Sequence, residues 1–149
     1  MSNLQFSINL TASSDEFLKL VTDYKNLPVY MPKQLQNLEI IEQNNGETIT
    51  EETFFLKTLK ISITQQTIHK KISENQLSWE IITGPVKGTK VILSFENSES
   101  GTIVSVDTDL KLELKLKIFS PIIQKQYKKT LTGILYKMNS DILYKINKV

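Results

Sequence analysis

The 149-residue chain contains no cysteine, and its eighteen basic residues are all lysine, because there is no arginine. Without cysteine there can be no disulfide, thiolate nucleophile or cysteine-bound zinc. Without arginine there is no bidentate guanidinium clamp for phosphate or carboxylate. A single histidine, His69, excludes any site built from several imidazoles. Apolar runs stop at three or four residues, far short of the ~18 needed to span a bilayer. The first residues, Met1 to Ile8, have neither a basic start nor a continuous apolar core, so no signal peptide is expected and a soluble cytoplasmic protein is the default. Sixteen acidic residues leave a net charge of +2, too little to argue for nucleic acid, and DNA is not an expected partner.

What is present reads as one domain over residues 1–149, ordinary in its 40% hydrophobic and 23% charged content. Leu4, Phe6, Ile8 and Leu10 alternate with polar residues, the period of a half-buried strand. Ser13 then offers a helix cap, with Glu16 at the capping-box position. Phe17, Leu20, Val21 and Tyr24 follow as one apolar stripe, and Asp15 is placed to pair with Lys19. Pro28 and Pro32 leave room only for a short second helix.

From residue 35 the period turns to alternation, in β-branched runs at 35–43, 47–58, 60–73, 76–83, 88–96 and 102–116. Turn residues punctuate them at Asn44-Asn45-Gly46, Glu74-Asn75, Gly84-Pro85 and Asn97 to Gly101; near Thr58 to Lys60 two runs could be one bent strand. The alternation is cleanest over Leu110 to Lys117, which predicts the last strand running through that stretch. Ser120-Pro121 opens a closing helix of about 27 residues, ~40 Å long, carrying Ile123, Tyr127, Leu131, Ile134, Leu135, Met138, Ile142 and Ile146 at helical spacing.

The expected architecture is α+β: a seven-stranded, curled antiparallel sheet around a long C-terminal helix, with two short helices between strands 1 and 2. One helix ~10–12 Å across cannot fill the concave face of so wide a sheet, which points to an apolar cavity between the layers.

The order of elements resembles the START-like helix-grip superfamily (SRPBCC, or Bet v 1-like), to which the birch pollen allergen, polyketide cyclases and coenzyme Q-binding proteins belong. Val21-Thr22-Asp23-Tyr24-Lys25-Asn26-Leu27-Pro28-Val29-Tyr30-Met31-Pro32 is similar to the stretch around the first two helices in the coenzyme Q-binding and cyclase branch. Leu77-Ser78-Trp79-Glu80 and Gly101-Thr102 also look like that branch. The resemblance implies the helix-grip fold, and carriers, enzymes and regulators share it.

Candidate site residues follow from parity. If Ile61 and Ile63 face inward, so do Gln65, Thr67 and His69, a polar line on the cavity wall; Lys70 and Lys71 raise the alternative of an exposed strand end for His69. Tyr30, Trp79, Ile81 and Thr108 would line the same wall, with Tyr127, Leu131, Leu135 and Met138 on the helix side. Tyr24, Tyr30, Trp79 and Tyr127 pair an apolar body with a polar tip, though packing explains any one of them. Glu51 and Glu52 must point to opposite faces, and whichever turns inward is a buried carboxylate, a candidate general base.

Other patterns carry less. Gly84-Pro85-Val86-Lys87-Gly88-Thr89-Lys90 fails as a phosphate loop, since three residues separate the glycines and Thr precedes Lys. Asp107 and Asp109 share a face with Lys111 and Glu113, so a solvated face is the stronger reading than a cation site. Lys125, Lys128 and Lys129, with Lys115 and Lys117, could touch an anionic membrane surface or the ribosome, but a solvated surface is the commoner meaning of such a pattern.

The expected function is non-catalytic binding, transport or sensing of a hydrophobic small molecule of quinone, lipid or isoprenoid type, with no metal and no cofactor. The alternatives are a polyketide cyclase or aromatase-like enzyme and a ribosome- or protein-binding regulator.

Overall fold

The computed structural model describes residues 2–31, 33, 35–57 and 60–147. Seven strands form one antiparallel sheet in the order β1-β7-β6-β5-β4-β3-β2. They are β1 (Ser2–Leu10), β2 (Leu35–Asn44), β3 (Glu47–Leu56), β4 (Ile61–Ser73), β5 (Gln76–Ile81), β6 (Lys90–Ser98) and β7 (Gly101–Leu110). Helix α1 (Ser14–Val21) and a 3-10 helix (Tyr24–Tyr30) lie between β1 and β2, and α2 (Ser120–Asn147) closes the chain after a second 3-10 helix (Leu114–Phe119). The expected α+β architecture is therefore the observed one.

Local chemistry explains most element ends. Asn45 and Gly46 both take positive φ (40° and 83°), so the β2–β3 hairpin closes on the kind of two-residue turn that matches strand twist. β3 and β4 are separate antiparallel neighbours, with Lys60 at φ 54°; Thr58 and Leu59, where they join, lie outside the described residues, as does Pro32. The Gly84–Thr89 stretch is a loop between β5 and β6, with Gly84 and Gly88 at positive φ.

The cleanest sequence pattern misleads. Leu110 to Lys117 alternates without an error, yet β7 stops at Leu110. Its two neighbours run out there: Leu110 pairs with Ser2 at the start of β1, and Asp109 pairs with Lys90 at the start of β6. With no ladder left, the Lys111 amide donates to Thr89 Oγ1 (3.0 Å) and the Glu113 amide to the Pro85 carbonyl (3.0 Å), and the chain coils into the second 3-10 helix. Leu116 is buried there, while Leu114 and Ile118 are exposed.

The start of α1 also departs from expectation. Ser13 has the extended backbone of a cap but its side chain makes no capping bond, and Lys19 pairs with Glu16 (3.5 Å) rather than with Asp15. The turn before α1 is held from elsewhere. Asn139 Oδ1 on α2 accepts from the Thr11 and Ala12 amides (3.1 and 2.8 Å), Thr102 Oγ1 donates to the Ala12 carbonyl (2.6 Å), and Ser14 Oγ donates to Asn97 Oδ1 (2.7 Å). These bonds tether α1 across the sheet without an N-cap.

The apolar core fills one half of the concave face. Ile8, Leu10, Leu93, Phe95, Val104 and Val106 from the sheet meet Phe17 of α1 and Leu135, Met138 and Ile142 of α2. Tyr30 Oη donates to Asp141 Oδ2 (2.7 Å), which pins the first 3-10 helix to α2. Ile146, on the expected apolar stripe, is exposed.

Gly101 allows β7 to begin against β1. Its φ is 146°, and a Cβ there would sit 2.1 Å from the Leu10 carbonyl oxygen, whereas a Cβ on Gly46 would meet nothing. Gly101→Ala is expected to cost about 2–4 kcal/mol and Gly46→Ala about 1 kcal/mol, compared by urea denaturation. Equal costs would contradict the steric account.

Candidate ligand-binding site

The other half of the concave face is polar. Thr50 and Glu52 on β3 point inward and pair in register with Thr67 and Gln65 on β4. All four are buried, Glu52 with 5% of its surface exposed. Of the two adjacent glutamates, Glu52 is thus the inward one. Sequence could not decide this, because Thr48, Thr50 and Glu52 on one parity look no more polar than Glu47, Glu51 and Thr53 on the other.

Among the described residues no cation pairs with Glu52. Its Oε1 accepts from Thr67 Oγ1 and from Gln65 Nε2 (3.2 Å), and its Oε2 accepts from Thr50 Oγ1 (2.7 Å). Burial pushes the carboxyl above the usual range; the bonds from Thr67, Thr50 and Gln65 work against that push, and the neighbouring Glu51 charge adds to it.

Thr50 also links Glu52 to the histidine. Its Oγ1 lies 2.9 Å from His69 Nε2, so one hydroxyl touches both titratable groups. The imidazole sits between aromatic rings, with Tyr24 at 4.4 Å and Trp79 at 6.2 Å between centroids. Burial holds its pKa down at about 4, so His69 is neutral near pH 7, and burial lifts the Tyr24 phenol to about 12. The polar line Gln65, Thr67 and His69 does face inward. The Tyr24 contact comes from a distant element and has no signature in local spacing.

A cleft of about 390 Å³ opens beside this group. Tyr24 and Thr22 form one wall, Asn44 to Thr48 at the β2–β3 turn another, and Lys71 and Leu77 a third. Thr48 is the cross-strand partner of His69, so the cleft ends against the imidazole's immediate neighbours. None of the eleven residues expected to line a cavity borders it. It lies at the rim of the sheet, not under α2.

Those eleven divide into three groups. Leu135 and Met138, with no exposed surface, belong to the packed core, and Tyr30 is buried there with its hydroxyl on Asp141. Gln65, Thr67 and His69 join Glu52, and Ile81 stands opposite Thr67. Trp79, Thr108, Tyr127 and Leu131 lie between these regions. His69, Trp79, Val91 and Thr108 occupy one continuous rung across β4, β5, β6 and β7. At its far end Tyr127 Oη is turned toward Thr108, yet both hydroxyls are buried without a hydrogen-bond partner. Burial raises the Tyr127 phenol above its ordinary range.

The remaining expectations are quickly placed. Lys125, Lys128 and Lys129 are all exposed, and Lys128 Nζ lies 5.4 Å from the centre of the Phe6 ring. Asp107 is exposed, but Asp109 Oδ1 is buried and unpartnered. Among the described residues no three His, Asp or Glu side chains cluster to hold a metal, and no helix is long and apolar enough to cross a membrane.

The two titrations oppose each other. His69 has a depressed folded pKa, so the stability it contributes is present above its ordinary 6.5 and is lost as pH falls toward 4. Glu52 has a raised one, so its contribution is present at low pH and is lost as pH rises through the folded value. His69→Gln is expected to flatten the acid-side decline in denaturation midpoint, and Glu52→Gln the decline on the alkaline side of the ordinary carboxylate range. Wild-type slopes in both variants would contradict the assignment.

No protein-family model matches the chain, and no curated protein matches its sequence. Solved structures do. A protein from Thermus thermophilus superposes with a TM-score of 0.82 at 14% identity, over 97% of this chain and 99% of that one. A START superfamily protein from Mycobacterium smegmatis gives 0.74 at 16% identity, over 95% and 97%. The di-domain aromatase/cyclase StfQ of the steffimycin biosynthetic pathway gives 0.79 at 9% identity over 97% of this chain, which spans 52% of it. Identities this low speak to backbone architecture and leave activity open. The seven-stranded sheet gripping a long C-terminal helix, shared almost end to end with the Thermus and Mycobacterium proteins, gives this chain the helix-grip fold.

Proposed function

We propose that the protein binds a lipophilic small molecule bearing oxygen functions, held between the sheet and α2, and acts as a carrier or sensor. The observation that carries this reading is the pair of partnerless hydroxyls, Thr108 Oγ1 and Tyr127 Oη, buried where sheet meets helix. A buried hydroxyl without a partner costs about 1–3 kcal/mol, and a ligand carbonyl or hydroxyl there would remove that cost. The same rung ends at His69, three strand spacings or ~14 Å away, with the apolar Trp79 and Val91 between. That layout suits an apolar body with an oxygen at either end. Quinones, lipids and isoprenoids with polar heads all remain within this class.

A second reading has one observation in its favour. The hydrogen-bonded set Glu52–Thr50–His69 supplies an acid and a base joined through one hydroxyl, as an enzyme of the aromatase/cyclase kind would need. It would require turnover that depends on His69.

The test is native mass spectrometry of freshly purified protein, with organic extraction of any bound molecule. Wild type is expected to carry a lipophilic compound near stoichiometry, and Tyr127→Phe to retain at least about tenfold less of it. Tyr127→Phe should meanwhile be as stable as wild type or more so, because it deletes an unsatisfied hydroxyl. Equal retention by the variant would remove Tyr127 from the site, and an empty wild type would count against the whole reading.

A further inference from the structure

The single hydroxyl proton of Thr50 cannot serve both of its neighbours. When Glu52 is ionised its Oε2 can only accept, so Thr50 Oγ1–H must point to it. His69 Nε2 must then carry a proton and donate to Thr50 Oγ1, leaving Nδ1 with a free lone pair. When Glu52 is protonated at Oε2, that proton points to Thr50, Thr50 donates to Nε2, and the imidazole proton sits on Nδ1. Oε1 stays an acceptor in both states, because Thr67 and Gln65 both donate to it. The two arrangements differ by one proton, which enters at Nδ1 as the Nε2 proton passes to Thr50 and the Thr50 proton to Glu52.

We propose that Glu52, Thr50 and His69 form a proton relay by which a carboxyl sealed inside the sheet sets the hydrogen-bonding polarity of His69 Nδ1 toward a ligand. With Glu52 ionised, Nδ1 accepts from a phenol or enol hydroxyl; with Glu52 protonated, Nδ1 donates to a ketone-type carbonyl. The ligand choice rests on the small-molecule reading above, while the proton path rests on the hydrogen bonds alone. Nε2 is committed to Thr50, and Nδ1 bonds to no described residue. The titratable groups around the relay are few. Tyr24, from the first 3-10 helix, lies over the imidazole and stays neutral; Glu51 adjoins Glu52 on the opposite face; Lys71 and Glu47 border the cleft. Trp79 on β5 is uncharged. The relay therefore titrates chiefly with Glu52.

His69 is the chain's one histidine, so nitrogen-15 histidine labelling yields a single imidazole whose tautomer is read directly by NMR. The full chain is expected to change from Nδ1–H to Nε2–H as pH rises through the Glu52 transition, without passing through imidazolium. Glu52→Gln, whose amide mimics the protonated acid, should hold Nδ1–H throughout the pH range in which the imidazole is neutral, and Thr50→Val should abolish the change. One tautomer throughout in wild type, or a wild-type switch in Glu52→Gln, would overturn the relay.

Two probes on one ring test the ligand side: 2-naphthol as donor and 2-acetylnaphthalene as acceptor. Wild type above the transition should favour 2-naphthol by roughly tenfold, and Glu52→Gln should favour the ketone. Identical preferences in the two proteins would overturn the selection. Binding of neither probe beside an intact tautomer switch would count against the small-molecule reading and its ligand selection, leaving the proton path supported.

Discussion

A carboxyl group shut away from water, with no cation paired to it among the described residues, organises half of this protein. Glu52 is tolerable only because three side chains donate to it, and those three stand on β3 and β4 at fixed register. A slip of one residue would turn Glu51 inward and carry Glu52 to the outer face, away from Gln65 and Thr67. Burial of the acid therefore specifies strand register, and its hydrogen bonds reach outward through Thr50 to the imidazole. Carboxylates are seldom buried without a partner charge, and a perturbed one on a concave face is a candidate functional group.

The concave face is divided along the sheet. The C-terminal half of α2 packs Leu135, Met138 and Ile142 into the core and is pinned by Asn139 and Asp141. Its N-terminal half carries Tyr127 over Thr108, where the hydroxyls go unmatched. One end of the helix thus anchors the fold, and the other covers the polar rung. Tyr24 adds the last wall, because the chain must turn at Tyr24–Tyr30 before entering β2, and that turn lays its ring on His69.

Periodicity read the architecture well because strands buried on one face write their parity into the chain. It read Gln65, Thr67 and His69 as a line for the same reason. It overran β7 because Leu110 to Lys117 alternates as a strand would, whereas a strand also needs neighbours, and both had ended. The orientation of Glu52 was open because both faces of β3 carry polar residues. The rim cleft was hidden for another reason: its walls come from α1's end, a hairpin turn and two further strands, joined only by tertiary packing. The lysines near the start of α2 read as a solvated surface, and Lys125, Lys128 and Lys129 are exposed, with the Lys128 ammonium over the Phe6 ring.

The most direct test is to titrate the Glu52 carboxyl itself, by carbon-13 NMR of glutamate-labelled protein with Glu52→Gln providing the assignment. The account predicts one glutamate titrating clearly above the ordinary ~4.3, its transition mirrored in the His69 nitrogen shifts. A Glu52 that titrates with the surface glutamates, leaving His69 unmoved, would contradict it.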